Sequence, residues 1–263
     1  MEKKQNRKVG KSGKLKVMCL GGLSEIGKNM TALEYGDDII VIDCGMGFPD
    51  EDMPGVDLVI PDISYLVSNA HKIRGILITH GHEDHIGAVP YILQQIDAPI
   101  YGTRLSLGII EGKLDENPPP NEPELYTVEA GDVVNLGVFK AEFIHVNHSI
   151  ADACAIAVRT PVGTVFHSGD FKIDYTPVNG EIMDLARICE IGKKGVLLMM
   201  ADSTNIEIES PTAPAIEWFT LINSILKQPS FMLLPGFMQF KIALLILCSF
   251  ILFSISVSVN FVP

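Results

Sequence analysis

The 263-residue chain is 47% hydrophobic and 20% charged, with a formal net charge of -12. That balance excludes an intrinsically disordered chain, a collagen-like fibre and a heptad coiled coil. The length suits one large domain or two small ones.

Residues 1–16 hold seven of the 20 basic residues and one of the 32 acidic ones, leaving 13 against 31 from Val17 onward. This basic arm reads equally as a phosphate-binding arm or a solubilising tail. It lacks the apolar segment of a secretory signal. Leu15–Leu20 runs into Gly21-Gly22, as a strand entering a tight loop does. Thr31–Tyr35 and Asp38–Asp43 read as paired strands around Gly36-Asp37. Ile60–Ala70 is expected to turn helical after the turn-rich FPDEDMPG. Gly75–Thr79 is short and apolar, the pattern of a strand buried on both faces.

His85–Ile96 has helical spacing, Pro99–Gly102 reads as a strand and Thr103–Lys113 as a helix. The three prolines 118–120 mark a loop. Strands then dominate, at Leu125–Glu129, Val133–Leu136, Phe139–Val146, Ala153–Arg159 and Thr164–His167. A helix over Met183–Ile191 and a strand over Val196–Ala201 come next. Helices flanking two sheets in this order predict a layered α/β sandwich. Ile242–Val259 carries no charge and has about the minimum length of a membrane-spanning helix. A buried helix or strand is the alternative reading.

Cys19, Cys44, Cys154, Cys189 and Cys248 are scattered, odd in number and form no Cys-x-x-Cys pair. A disulfide framework or cysteine-based zinc finger is therefore not expected. A reducing, cytoplasmic setting is.

The chemistry is concentrated in Thr79-His80-Gly81-His82-Glu83-Asp84-His85. This segment holds three of the seven histidines and follows a buried strand directly. His80 and His82 are two apart, so in extended backbone both can point one way. Asp84 and His85 come as the chain turns into the next helix. Such a segment can serve two adjacent metals, and nitrogen and oxygen ligands without thiolates suit zinc, with manganese a rival. His148 and Asp170 sit just past strands and could complete the site, Asp170 as a bridge between metals. His145 and His167 are weaker candidates, and His71 reads as a surface residue. Asp43 reads either as a carboxylate that orients a ligand or as a turn aspartate.

The pattern His-x-His-x-Asp-His, then His148 and Asp170, with Asp43 earlier, resembles the metallo-β-lactamase superfamily. The words GGLSEIGKNM, IDCGMGFPDEDMPGVDLVIPD, LITHGHEDHIGAVPYIL, VNHSIADACAIAV, HSGDFKIDYTP and LLMMADSTN resemble the ribonuclease J family of its β-CASP branch, over about residues 15–206. The resemblance implies an αββα sandwich and a zinc-dependent ribonuclease of RNA maturation and decay, with 5′-to-3′ exonuclease and endonuclease activity. It implies His80, His82 and His148 on one zinc, Asp84 and His85 on the other, and Asp170 between them. Asp202 matches the acidic motif that supports the site and helps manage a proton, so Asp84 and Asp202 are the expected catalytic carboxylates. The implied mechanism is attack on a phosphodiester by a hydroxide shared between the two metals. RNA is the implied partner, with a second copy or a related ribonuclease subunit beside it.

Ala151 stands where the family usually carries proline, and the resemblance ends near Asn205. The implied β-CASP domain does not fit in the remaining residues, and no histidine comes after His167 to complete the second zinc site. The expectation is thus an incomplete sandwich over 17–206 and a divergent apolar tail over 207–263, membrane-spanning or unfolded. Two further readings stand beside the ribonuclease: a non-catalytic zinc-binding fragment, and a hydrolase of small esters or thioesters.

Overall fold

The computed structural model describes residues 13–178, 180–204 and 258–259. The first sheet is built from β1 (Leu15–Gly21), β2 (Met30–Tyr35), β3 (Asp38–Ile42), β4 (Ile73–Leu77), β5 (Ile100–Gly102) and β6 (Leu125–Thr127). β1 to β3 form an antiparallel meander, and β4 to β6 continue from β3 in parallel. The pair Ser258–Val259 lies parallel to β1 at the outer edge. The second sheet comprises β7 (Val133–Leu136), β8 (Phe139–His145), β9 (Cys154–Thr160), β10 (Gly163–His167) and β11 (Leu198–Met200). It is antiparallel from β7 to β10, and β11 joins β10 in parallel.

Side-chain alternation explains how these strands stack. In β3, Ile40 and Ile42 face one way and Ile39 and Val41 the other, all fully buried. Ile40, Ile42, Leu33 and Leu77 meet Phe139, Phe143, Ile156 and Val158 of the second sheet, forming the core between sheets. The opposite face of the first sheet packs on α1 (Ser64–Ser68), α2 (Glu83–Ile86), α3 (Val89–Ile92) and α4 (Arg104–Glu116), through Leu66, Ile86, Ile92, Leu107 and Ile110. The outer face of the second sheet packs on α5 (Leu185–Lys194) through Ile144, Ala155, Ala157, Ile188 and Ile191. The layers are helix, sheet, sheet, helix: the αββα sandwich.

The differences from the sequence reading are local. Ile60–Ala70 yields only α1 and a 3-10 turn at Ala70–Lys72; Pro61 disfavours helical backbone at Ile60 before it, and Asp62 Oδ1 accepts from the Ser64 N–H in a turn just ahead of the helix. The helix expected over His85–Ile96 is two, because Ala88 gives its N–H to Cys44 O rather than within a helix. The first begins earlier, at Glu83. The last helix begins at Leu185, where Asp184 accepts from the Arg187 N–H as its N-cap. Lys16, counted with the basic arm, lies in β1 and donates to Glu34 and Tyr65. Most of that arm, and the apolar segment 242–259 apart from its last two residues, lie outside the described residues. Among the described residues no helix is long and apolar enough to cross a membrane.

Candidate metal centre

Four chain segments leave the sandwich at one end and meet there. The segment after β4 brings His80, His82, Asp84 and His85. The ends of β8 and β10 bring His148 and Asp170, and the end of β3 brings Asp43. His82 Nδ1 lies 3.1 Å from His80 Nε2 and 3.2 Å from His148 Nε2. His80, His85 and Asp170 form a second cluster that shares His80 with the first. His85 Nε2 is 3.4 Å from Asp170 Oδ1 and 3.5 Å from Asp84 Oδ2, and His148 Nε2 is 3.9 Å from Asp170 Oδ2. Asp170, a member of the second cluster, thus also approaches His148 of the first.

The backbone around α2 holds this arrangement. Cys44 N–H donates to His85 O, Met46 N–H to Glu83 O, and Asn29 N–H to Asp84 O. The strand-end loops 28–29 and 44–46 therefore clamp the ligand-bearing turn. Gly45 makes the clamp possible, since a Cβ there would lie 1.6 Å from Asp84 O. Asp43 is buried, with φ +61°, a left-handed conformation aspartate tolerates. Its Oδ1 accepts from Thr79 N–H at 2.8 Å. Its Oδ2 accepts from Thr79 Oγ1 at 2.9 Å and lies 2.8 Å from His85 Nδ1.

Electrostatics divides the histidines. Burial, reinforced by the neighbouring His85, pushes the pKa of His80 far below the ordinary range. His80 is therefore neutral and keeps a lone pair. Burial also lowers His148, beyond what the Asp170 charge restores. Burial opposes charging of His85 too, yet Asp43 and hydrogen bonds to Asp170, Asp43 and Asp84 raise its pKa well above 6.5. The carboxylates thus set up a negative potential at this spot.

These residues fit a divalent cation. Imidazole nitrogens about 2.0–2.1 Å from a tetrahedral zinc lie roughly 3.3 Å from one another, close to the spacing around His82. The thiols do not compete: burial pushes Cys19 up to about 11 and Cys154 up to about 12, so neither is a thiolate near neutrality. All four described cysteines are free.

Beside the clusters opens a cleft walled by Cys19, Asn29, Asp43, His85, His167, Asp170 and Asp202. Asp202 lines it without joining either cluster. Its Oδ1 accepts from the N–H and Oγ1 of Thr204, and its N–H donates to Ser168 Oγ. His167, a weaker candidate, stands in the cleft wall and accepts from Gly169 N–H. His145 and His71 belong to neither cluster. Sequence reasoning does not single out Asn29. Its Nδ2 donates to Asp84 O and Oδ2, both at 3.0 Å, from 55 positions away. The one signal is its place in the Gly-rich GGLSEIGKN loop.

The family model of the "Metallo-beta-lactamase superfamily" matches residues 24–194. Ribonuclease J of Synechocystis is 50% identical over 75% of this chain and 31% of its own length. That of Thermus thermophilus is 43% identical over 79% of this chain and 38% of its own. The chain spans about a third of the length of the curated relatives it matches. A crystal structure of a protein of unknown function from Enterococcus faecalis superposes with a TM-score of 0.55 at 21% identity, covering 76% of this chain and 52% of that one. That likeness is one of fold. With the family model matching most of the chain, on the sandwich just described, this chain belongs to the metallo-beta-lactamase superfamily, whose members bind divalent metal, and in sequence it is similar to ribonuclease J.

Proposed function

We propose that the chain is a zinc-dependent hydrolase of RNA phosphodiesters of the ribonuclease J type, working in the cytoplasm on exonucleolytic and endonucleolytic cleavage. The observation that carries this reading is the convergence of His80, His82 and His148 beside His80, His85 and Asp170. In this reading His80, His82 and His148 hold one cation, Asp84 and His85 the other, and Asp170 both. Manganese is the alternative metal. Divalent cations bound there supply Lewis acidity toward a phosphate and lower the pKa of water.

The chain's own residues prepare that chemistry. His85 donates its Nδ1–H to Asp43 Oδ2, which leaves Nε2 directed at the centre. Thr79 ties Asp43 to the His80 ring, with Oγ1 3.0 Å from His80 Nδ1. The phosphodiester lies in the cleft beside Asp170 and Asp202, and Asp202 accepts a proton at its carboxylate during cleavage. The unit that does this is the body 17–206.

Metal analysis and RNA cleavage test the reading together. The purified chain is expected to carry at least one zinc, lost in His80→Ala, and to degrade a 5′-monophosphorylated oligoribonucleotide that His80→Ala leaves intact. A zinc content below one per chain and unchanged by His80→Ala overturns the metal centre. Zinc uptake without RNA cleavage leaves a zinc-binding fragment, and cleavage of a thioester but not of RNA gives a small-ester hydrolase.

A further inference from the structure

The Asp84 carboxylate is weakly held by its own element. α2 has only four residues, Asp84 lies in its first turn, and the side chain is 25% exposed. A carboxylate in that position swings about its terminal torsion, which has broad wells. Asn29 restrains it. The Asn29 Nδ2 donates to Asp84 O and Asp84 Oδ2, and lies 3.1 Å from His85 Nε2. One amide thus touches both residues assigned to the second cation.

The Asn29 amide is itself held from two sides. Its backbone N–H donates to Asp84 O and its carbonyl accepts from Gly45 N–H, so the residue stays docked whatever its side chain does. The Oδ1 side fits against Gly22, where φ is +80° and a Cβ would come within 2.6 Å of Oδ1. The two Asp84 atoms on the other side are both acceptors, so the donor Nδ2 faces them.

We propose that Asn29 is a positioning residue for the second cation: its amide N–H fixes the Asp84 carboxylate facing His85 and Asp170. The proposal rests on the two-cation reading above. Asn29 binds no metal itself; it acts through Asp84. Residues that orient a ligand in this way typically carry a tenfold to hundredfold effect on affinity.

Calorimetric zinc titration of the metal-free full chain tests this, comparing wild type with Asn29→Ala and Asn29→Leu. Leucine keeps the branched shape and removes the donor. Both variants are expected to weaken the second ion by about 10–100-fold while the first ion, on His80, His82 and His148, stays within about threefold. Thermal midpoints measured in chelator should stay within about 2 °C of wild type, because the backbone bonds of residue 29 persist. A second ion held equally by wild type and both variants overturns the role of Asn29 alone. A wild-type chain that takes up one ion overturns the two-cation reading, and Asn29's role with it. A second-ion loss matched by an equal loss of metal-free stability makes Asn29 a packing residue and also overturns the proposal.

Discussion

His85 Nδ1 lies 2.8 Å from Asp43 Oδ2, and both side chains are almost wholly removed from solvent. The Asp43 carboxylate serves three groups at once, the Thr79 N–H, the Thr79 hydroxyl and the His85 ring. Asp43→Asn keeps the shape but turns a donor toward the Nδ1 proton. Metal affinity is expected to fall about 10–100-fold, measured by competition with a chromophoric chelator. Asp43→Ala also strands the buried Thr79 N–H and is expected to cost a further 1–3 kcal/mol or so in urea unfolding.

Gly45→Ala is expected to lose at least about 3 kcal/mol of stability, because the new methyl would overlap Asp84 O in backbone that three strand-end bonds hold in place. Gly112→Ala is the counterpart. Gly112 is exposed in α4, and a Cβ added there would meet nothing within 4 Å, so alanine is expected to stabilise by about 0.5–1 kcal/mol. Thermal unfolding of both in chelator checks the contrast.

Glu142 on β8 is buried between Arg187, at 2.5 Å, and Arg159. Hydrogen bonding to Arg187 holds its pKa below the ordinary 4.5, against the effect of burial. A depressed carboxylate stabilises the fold above its unfolded pKa and ceases to do so as pH falls through its folded value. Glu142→Gln should therefore be destabilised near neutrality by about 1–2 kcal/mol, reduced from the buried-pair range because the guanidinium of Arg159 is solvated. The gap from wild type should close as pH drops below about 4.5. Urea denaturation across that range measures it.

Chelation should destabilise the wild-type chain by more than it destabilises His82→Ala, which keeps only the second cation's ligands. A ligand at 100 times its Kd contributes about 2.7 kcal/mol, and His82 stands at the centre of the three-histidine cluster. Melting with and without excess chelator distinguishes the two proteins.

The ligand loop is legible in the sequence because His80, His82, Asp84 and His85 are local to one turn, and a strand's end fixes where they emerge. His148 and Asp170 are readable because strand ends gather polar groups in this fold class. Asn29 is not, since its partner is distant in the chain and its own loop advertises only turn formation. The single helix expected over His85–Ile96 fails for a related reason. Periodicity records which face is apolar, but the Ala88 N–H is claimed by Cys44 O, from another strand's loop. Asp202 shows the limit of motif reading: the motif points to its place beside the site, but not to its carboxylate's engagement with Thr204.

The donors of this centre belong to both sheets, His80 and His82 following β4 in one, His148 and Asp170 following β8 and β10 in the other. Any ion they share acts as a clasp across the seam of the sandwich. Prying the layers apart and releasing such an ion would become one event, so a core mutation outside the ligand set, such as one at Phe143 between the sheets, should register as leakier metal retention.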